Sequence, residues 1–233
     1  LPRADNTYDL GSPTLRWRRL FLGDYAVTRS LLGSGRRFVL SFDGVDDRVV
    51  VAHSSSLVLN EITVSVWFKL SYLPTGWAGI VTKGHYGYED WFVWYDPDYH
   101  FSGQVVINDV RYMCRTGRIL SPGVWYNGVW RRDINGNQAV LIDGVLRASC
   151  RDPGGPVDHA TDPVYIGTWK GLTNYFPGTV AGVLIYNRFL SDSEVQWNYL
   201  HPDDPVRDGL VLWLRMDEGY GDIVYDLSGL GNN

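Results

Sequence analysis

Several residue types are scarce in this chain, and each scarcity narrows what the protein can be. Its 233 residues hold four glutamates (Glu61, Glu89, Glu194, Glu218) against 22 aspartates, and three lysines (Lys69, Lys83, Lys170) against 18 arginines. Glutamate favours helices, whereas aspartate and the 26 glycines favour turns, so the imbalance points to an all-β protein. The arginine excess fits a GC-rich genome, a thermophile's hot habitat or Arg-mediated contacts between chains. Positive charge as a whole is not in excess: a net charge of −5 and a pI near 5.5 argue against a nucleic-acid or anionic-membrane partner. No apolar run approaches 18 residues, so no membrane-spanning segment is expected. The N-terminus shows no basic stretch followed by an apolar one, as a signal peptide would, and it lacks an initiator Met, which reads as a processed form or an excerpt.

Cysteine is limited to Cys114 and Cys150, both in segments that read as strands. Without a CxxC pair they cannot build a thiolate zinc site. A disulfide between neighbouring strands and two buried free thiols both stay open, and the first implies an oxidising, extracellular setting.

Apolar residues make up 45% and aromatics 14%, enough for a sizeable core. Residues 1–35 lack alternation and end on a small "GSG", which reads as an N-terminal arm or connector. From Arg36 the β signal is strong. In "EITVSVWFKL", Ile62, Val64, Val66, Phe68 and Leu70 share one face while Thr63, Ser65, Trp67 and Lys69 share the other, the pattern of a strand with one buried face. "DINGN" and "IDGV" carry the Asn-Gly and Asp-Gly chemistry of hairpin turns. One helix is expected in "SDSEVQWNYL", where Ser191 and Glu194 form a capping box and Pro202 ends the run. About a dozen strands with one short helix predict an all-β, two-sheet antiparallel sandwich preceded by an arm.

The order of these features resembles the laminin G-like, concanavalin A-like lectin-glucanase jelly rolls. The resemblance rests on "LSFDGVDDRVVVAHSSSLVLNEITVSVWFKL", "SPGVWYNGVWRRDINGNQAVLIDGVLRAS" and "VYIGTW…YFPGTVAGVLIYNRFLSDSEVQWNY", together about residues 36–200. It departs from the family at Trp125-Tyr126-Asn127-Gly128, where members commonly read W-[HY]-H-V. It departs again at Ala181-Gly182, where an acidic pair is common, and this weakens a calcium site carried over from relatives. The arm's "NTYDLGSPTLRWRRLFLG" resembles segments of phage tail-fibre and viral appendage proteins, which implies a homo-oligomer, trimer or filament, assembled through Leu15, Trp17, Leu20 and Phe21. The family usually opens with a stretch like "GLVLWLRMDEGYGDIVYDLSGLGNN", which here comes last. Three readings follow for residues 209–233: completion of the 36–233 sandwich in permuted strand order, the start of a truncated second domain, or donation to another chain. The first is expected, because a lone "LVLWL" strand with Leu210, Leu212 and Leu214 exposed would aggregate.

Two constellations are candidate sites. Asp43, Asp46 and Asp47 crowd carboxylates into one turn, which suits Ca²⁺ or, equally, ordinary capping of turn N–H groups. Residues 76–101 are rich in aromatics; Trp77, His85, Tyr86 and Tyr88 are glycan-binding candidates, joined by Trp169, Asn174 and Tyr175 of "GTWKGLTNYFPG". The bland alternative is that these aromatics serve core and subunit interface. No E-x-D-x-x-E strand, G-x-S-x-G or Cys-His pair is present, so an enzyme is not expected. The expected function is a non-enzymatic surface or appendage module of a virus, exposed outside the cell on the virion and binding host-surface glycans. The alternatives are a structural or filament subunit without a glycan ligand, and a carbohydrate-binding domain of a larger glycosidase.

Overall fold

A computed structural model describes residues 38–85 and 88–233. The proposed arm, including Leu15, Trp17, Leu20 and Phe21, lies outside the described residues.

Thirteen strands form two antiparallel sheets. One sheet holds β1 (Leu40–Asp43), β3 (Ile62–Leu70), β8 (Trp125–Arg132), β9 (Asn137–Ile142), β10 (Val145–Arg151), β12 (Pro177–Tyr186) and β13 (Leu210–Leu214). Its order is β1-β12-β3-β8-β9-β10, with β13 also on β12. The other sheet runs β2 (Val49–Val51), β11 (Val164–Ile166), β4 (Ala78–His85), β5 (Tyr88–Asp96), β6 (His100–Ile107) and β7 (Val110–Arg115). This is the expected two-sheet sandwich, with one short α-helix among the described residues, α1 (Asp192–Leu200).

The core lies between the sheets, where the alternating apolar sets meet. Ile62, Val64, Val66, Phe68 and Leu70 of β3 face Trp91, Val93 and Tyr95 of β5, all fully buried. Two glycines make room for large rings there: a Cβ on Gly103 would lie 1.9 Å from the Trp130 ring, and one on Gly128 would lie 2.3 Å from Phe101. Cys114 of β7 and Cys150 of β10 are joined by a disulfide with Cα atoms 5.5 Å apart. It ties the edge strand of one sheet to the edge strand of the other, not two neighbours within a sheet.

The expectation of one buried face on β3 does not hold. Thr63, Ser65 and Trp67 are buried as well, because α1 and its flanking loops roof the outer side of that sheet. Trp67 stacks on Tyr199 of α1 at 5.4 Å, and the Thr63 hydroxyl donates to the Arg188 carbonyl at 2.8 Å. The helix starts as expected: Ser191 Oγ accepts from Glu194 N, and Ser191 N donates to Glu194 Oε2 at 2.8 Å. Arg188 holds the Glu194 carboxyl down to about 2. At the β9–β10 hairpin, Asp143 and Gly144 adopt φ values of 53° and 72°, which the Asp-Gly turn requires.

β13 pairs with β12 of this same chain, with Leu212 opposite Ile185 and Leu214 opposite Val183. It shares one edge of β12 with β1, which pairs with residues 177–180 while β13 takes 183–186. The segment beyond β13 is fastened by Asp226, whose carboxylate accepts from the backbone N–H groups of Trp213, Ser228 and Asn232. Asn232 in turn donates to the Val211 carbonyl at 2.9 Å. No helix among the described residues is long and apolar enough to cross a membrane.

Candidate functional site

Strand parity decides which aromatics reach the surface of the six-stranded sheet. Because Trp91, Val93 and Tyr95 of β5 fill the core, Phe92 and Trp94 point the other way. Phe92 lies opposite Thr82 and Gln104, and Trp94 opposite Gly79 and Ser102. Over them sit Trp77, at the entry to β4, and Trp169, in the loop after β11. Ring centroids are 5.2 Å apart for Trp77–Trp94, 5.0 Å for Phe92–Trp94, 5.9 Å for Trp94–Trp169 and 6.3 Å for Phe92–Trp169. Phe92 and Trp94 are buried as a floor, while Trp77 and Trp169 are half-buried and pack against them.

The loop that carries Trp169 is drawn onto the sheet at Gly79. A Cβ there would meet the Thr168 carbonyl carbon at 2.5 Å, and Gly79 N donates to the Asn174 carbonyl at 2.8 Å. The loop is braced internally by Trp169 N to Thr173 O at 3.0 Å, Thr168 Oγ1 to Thr173 O at 2.7 Å and Thr82 Oγ1 to Thr168 O at 2.8 Å. Four of its residues have positive φ: Gly167 and Gly171, but also Lys170 at 50° and Asn174 at 53°. The Lys170 ammonium lies 4.9 Å from the Trp169 ring centroid.

Of the residues expected from sequence, Trp77 and Trp169 are thus brought together. Asn174 and Tyr175 are nearby but serve the loop itself: Asn174 Oδ1 accepts from Thr173 Oγ1, and the Tyr175 hydroxyl donates to the Gly171 carbonyl at 3.2 Å. The backbones of His85 and Tyr88 pair across the β4–β5 hairpin, but their side chains and all of Tyr86 lie outside the described residues. Sequence reasoning missed Gln104 and Lys170; it set Phe92 and Trp94 against Trp91, Val93 and Tyr95 by alternation, without assigning which set is core. Parity along β5 held the signal for those two aromatics. Three enclosed N–H donors at this face, Trp94 Nε1, Trp169 Nε1 and Gln104 Nε2, have no hydrogen-bond partner among the described residues.

Residues 43–196 match a family model described as the concanavalin A-like lectin/glucanases superfamily, well over half of the chain. The chain belongs to this superfamily. No curated protein matches the sequence. Among solved structures, this superfamily member is similar to a carbohydrate-binding candidate from Bacteroides ovatus, at TM-score 0.65 and 17% identity, covering 83% of this chain and 58% of that one. It is also similar to the binding domain of Paraclostridial mosquitocidal protein 1, at TM-score 0.61 and 13% identity, covering 78% and 45%. Trypanosoma rangeli sialidase follows at TM-score 0.56 and 20% identity, covering 71% and 28%. At these identities the likeness is one of fold, and the chain spans less than two thirds of each protein's length. The chain has a carbohydrate-binding-like lectin fold.

In this concanavalin A-like chain a second cluster adjoins the aromatic loop. Carboxylate oxygens of Asp43, Asp46 and Asp47 lie within 4.8 Å of one another, and a Cβ on Gly167 would lie 3.3 Å from the Asp47 carbonyl. Much of the set is already engaged in the turn: Asp43 Oδ1 accepts from Val45 N at 2.8 Å and Asp46 N at 3.3 Å, and Asp47 Oδ2 accepts from Asp43 N at 2.8 Å. Burial first, then the Asp43 and Asp46 charges, push the Asp47 carboxyl up to about 6, against the N–H of Asp43. Hard oxygens are the right donors for Ca²⁺, but one from each carboxylate supplies at most half of its shell.

Three of the four glutamates are spent on structure, and the side chain of Glu89 lies outside the described residues. Glu61 accepts from Ile134 N, Glu194 from Arg188 and Ser191, and Glu218 from Tyr225 N.

Proposed function

We propose that this chain is a non-catalytic glycan-binding module whose saccharide lies across Trp77 and Trp169 on the outer face of the six-stranded sheet. The observation that carries the reading is the aromatic group itself: two half-buried indoles held at 5.2 and 5.9 Å from a buried third, on a face of the sandwich turned away from the core. Flat ring faces stack on the apolar faces of pyranoses, and neighbouring polar groups take the hydroxyls. The engagement of Glu61, Glu194 and Glu218 in structural bonds supports a binding role over a hydrolytic one.

In this reading residues 36–233 act as one sandwich outside the cell, on the surface of a viral appendage, and the arm at 1–35 gathers several copies so that weak individual sites add up. Ca²⁺ at Asp43, Asp46 and Asp47 would be structural, relieving their mutual repulsion beside the Trp169 loop. A glycan array probed with the full chain tests the function. Binding that Trp169→Ala weakens, in a variant that still folds, is expected. Binding to no saccharide would overturn the proposal and favour a purely structural subunit.

A further inference from the structure

The aromatic face has a chemical bias that narrows its ligand. Among the described residues, Trp94 Nε1, Trp169 Nε1 and Gln104 Nε2 are donors without partners, and an indole offers no acceptor at all. Register places Gln104 directly opposite Phe92, whose ring packs against both Trp94 and Trp169, so the three side chains lie in one neighbourhood. Being enclosed, their N–H dipoles are little screened by solvent.

A cation stands at the same spot. Lys170 is one of three lysines in the chain, and the other two are committed elsewhere, Lys83 in a buried pair with Asp90 and Lys69 over Trp125. Lys170 makes no ion pair among the described residues and rests over the Trp169 ring. Its backbone occupies the left-handed region at φ 50°, a place that suits glycine, as at Gly171 beside it. In the row of Trp94, Asp96 is buried with Arg115 3.3 Å from its carboxylate.

We propose that the saccharide on this face is acidic, its carboxylate or sulfate held by Lys170 beside Trp169 within the field of the unpaired N–H donors. The inference rests on the glycan-binding reading above. Anionic oxygens only accept, and the Lys170 ammonium and the indole N–H groups only donate.

The test is an array carrying sulfated, uronate-bearing, sialylated and neutral saccharides, followed by calorimetry on the full chain at 50 and 300 mM NaCl (about a twofold change in Debye length). Acidic saccharides should bind at least tenfold more tightly than neutral ones of equal length, and weaken with salt. Lys170→Gln should abolish that preference, Lys170→Arg should keep most of it, and Lys69→Gln on the other sheet should change nothing. Preference for sulfate over carboxylate, or the reverse, identifies the source of the charge and supports the inference. Neutral saccharides bound as tightly as acidic ones, or a preference that survives Lys170→Gln, would overturn it while leaving glycan binding intact. A chain that binds no saccharide overturns both.

Discussion

Replacing Lys170 by glycine separates what the loop needs from what a ligand needs. A left-handed φ costs a residue with a Cβ about 1–2 kcal/mol, and glycine avoids that cost. Against this, glycine gives the unfolded chain about 0.5–1 kcal/mol more entropy to lose, and removing the ammonium forfeits about 0.5 kcal/mol of cation–π attraction to Trp169. The contributions nearly cancel, so Lys170→Gly should leave stability within about 0.5 kcal/mol of the parent, a melting shift of less than about 2 °C for a domain of this size. Affinity for an acidic saccharide should fall at least tenfold, about 1.4 kcal/mol. Calorimetric melting and ligand titration on the same preparation give both numbers. A melting temperature lowered by more than about 6 °C would refute the reasoning, because Lys170 would then be holding the loop together and its backbone would carry no strain worth relieving.

Other perturbations reach different parts of the argument. Trp169→Ala should weaken saccharide binding by about 1 kcal/mol or more by titration, the worth of one aromatic stacking partner. Arg132 is fully buried, with Nε and Nη2 each 3.0 Å from Asp152; Asp152→Ala strands that charge and should cost about 3–5 kcal/mol in a denaturant midpoint measurement. Asp47, raised from 3.8 to about 6, favours the protonated form in the folded state, so its contribution falls as pH rises through that window and is flat below it. Melting followed from pH 4 to 7 should show that decline in metal-free protein and its reversal by millimolar Ca²⁺, with Asp47→Asn removing both effects. A melting temperature indifferent to Ca²⁺ and to chelator at pH 7 would remove calcium from that turn.

The fold was largely legible because its signals are local. Alternation in Ile62–Leu70, the Ser191–Glu194 box and the Asp143-Gly144 turn each depend on neighbours a few residues away, and each forms the strand, helix start or turn the sequence implies. What covers the second face of β3 was not legible, since Tyr199 lies far along the chain from the Trp67 it stacks on. The aromatic group divides in the same way. Trp77 and Trp169 stand out as residues, but only the pairing of β11 with β4 brings them together. Asn174 and Tyr175 look like ligand groups in sequence because internal loop bonds leave no pattern there.

The placement of the disulfide has a mechanical consequence. It joins the sheets at the β7–β10 edge, while Phe38 packs at Gly219 and β1 and β13 both lie along β12 at the far edge. Tension applied between residues 38 and 233 therefore enters through β1 and β13 and peels them from β12 before it reaches the bridge. Oxidised and reduced protein should yield first at the same force. They should differ only afterwards, when the bridge withholds the 36-residue loop, roughly 120 Å of extended chain, from the lengthening molecule.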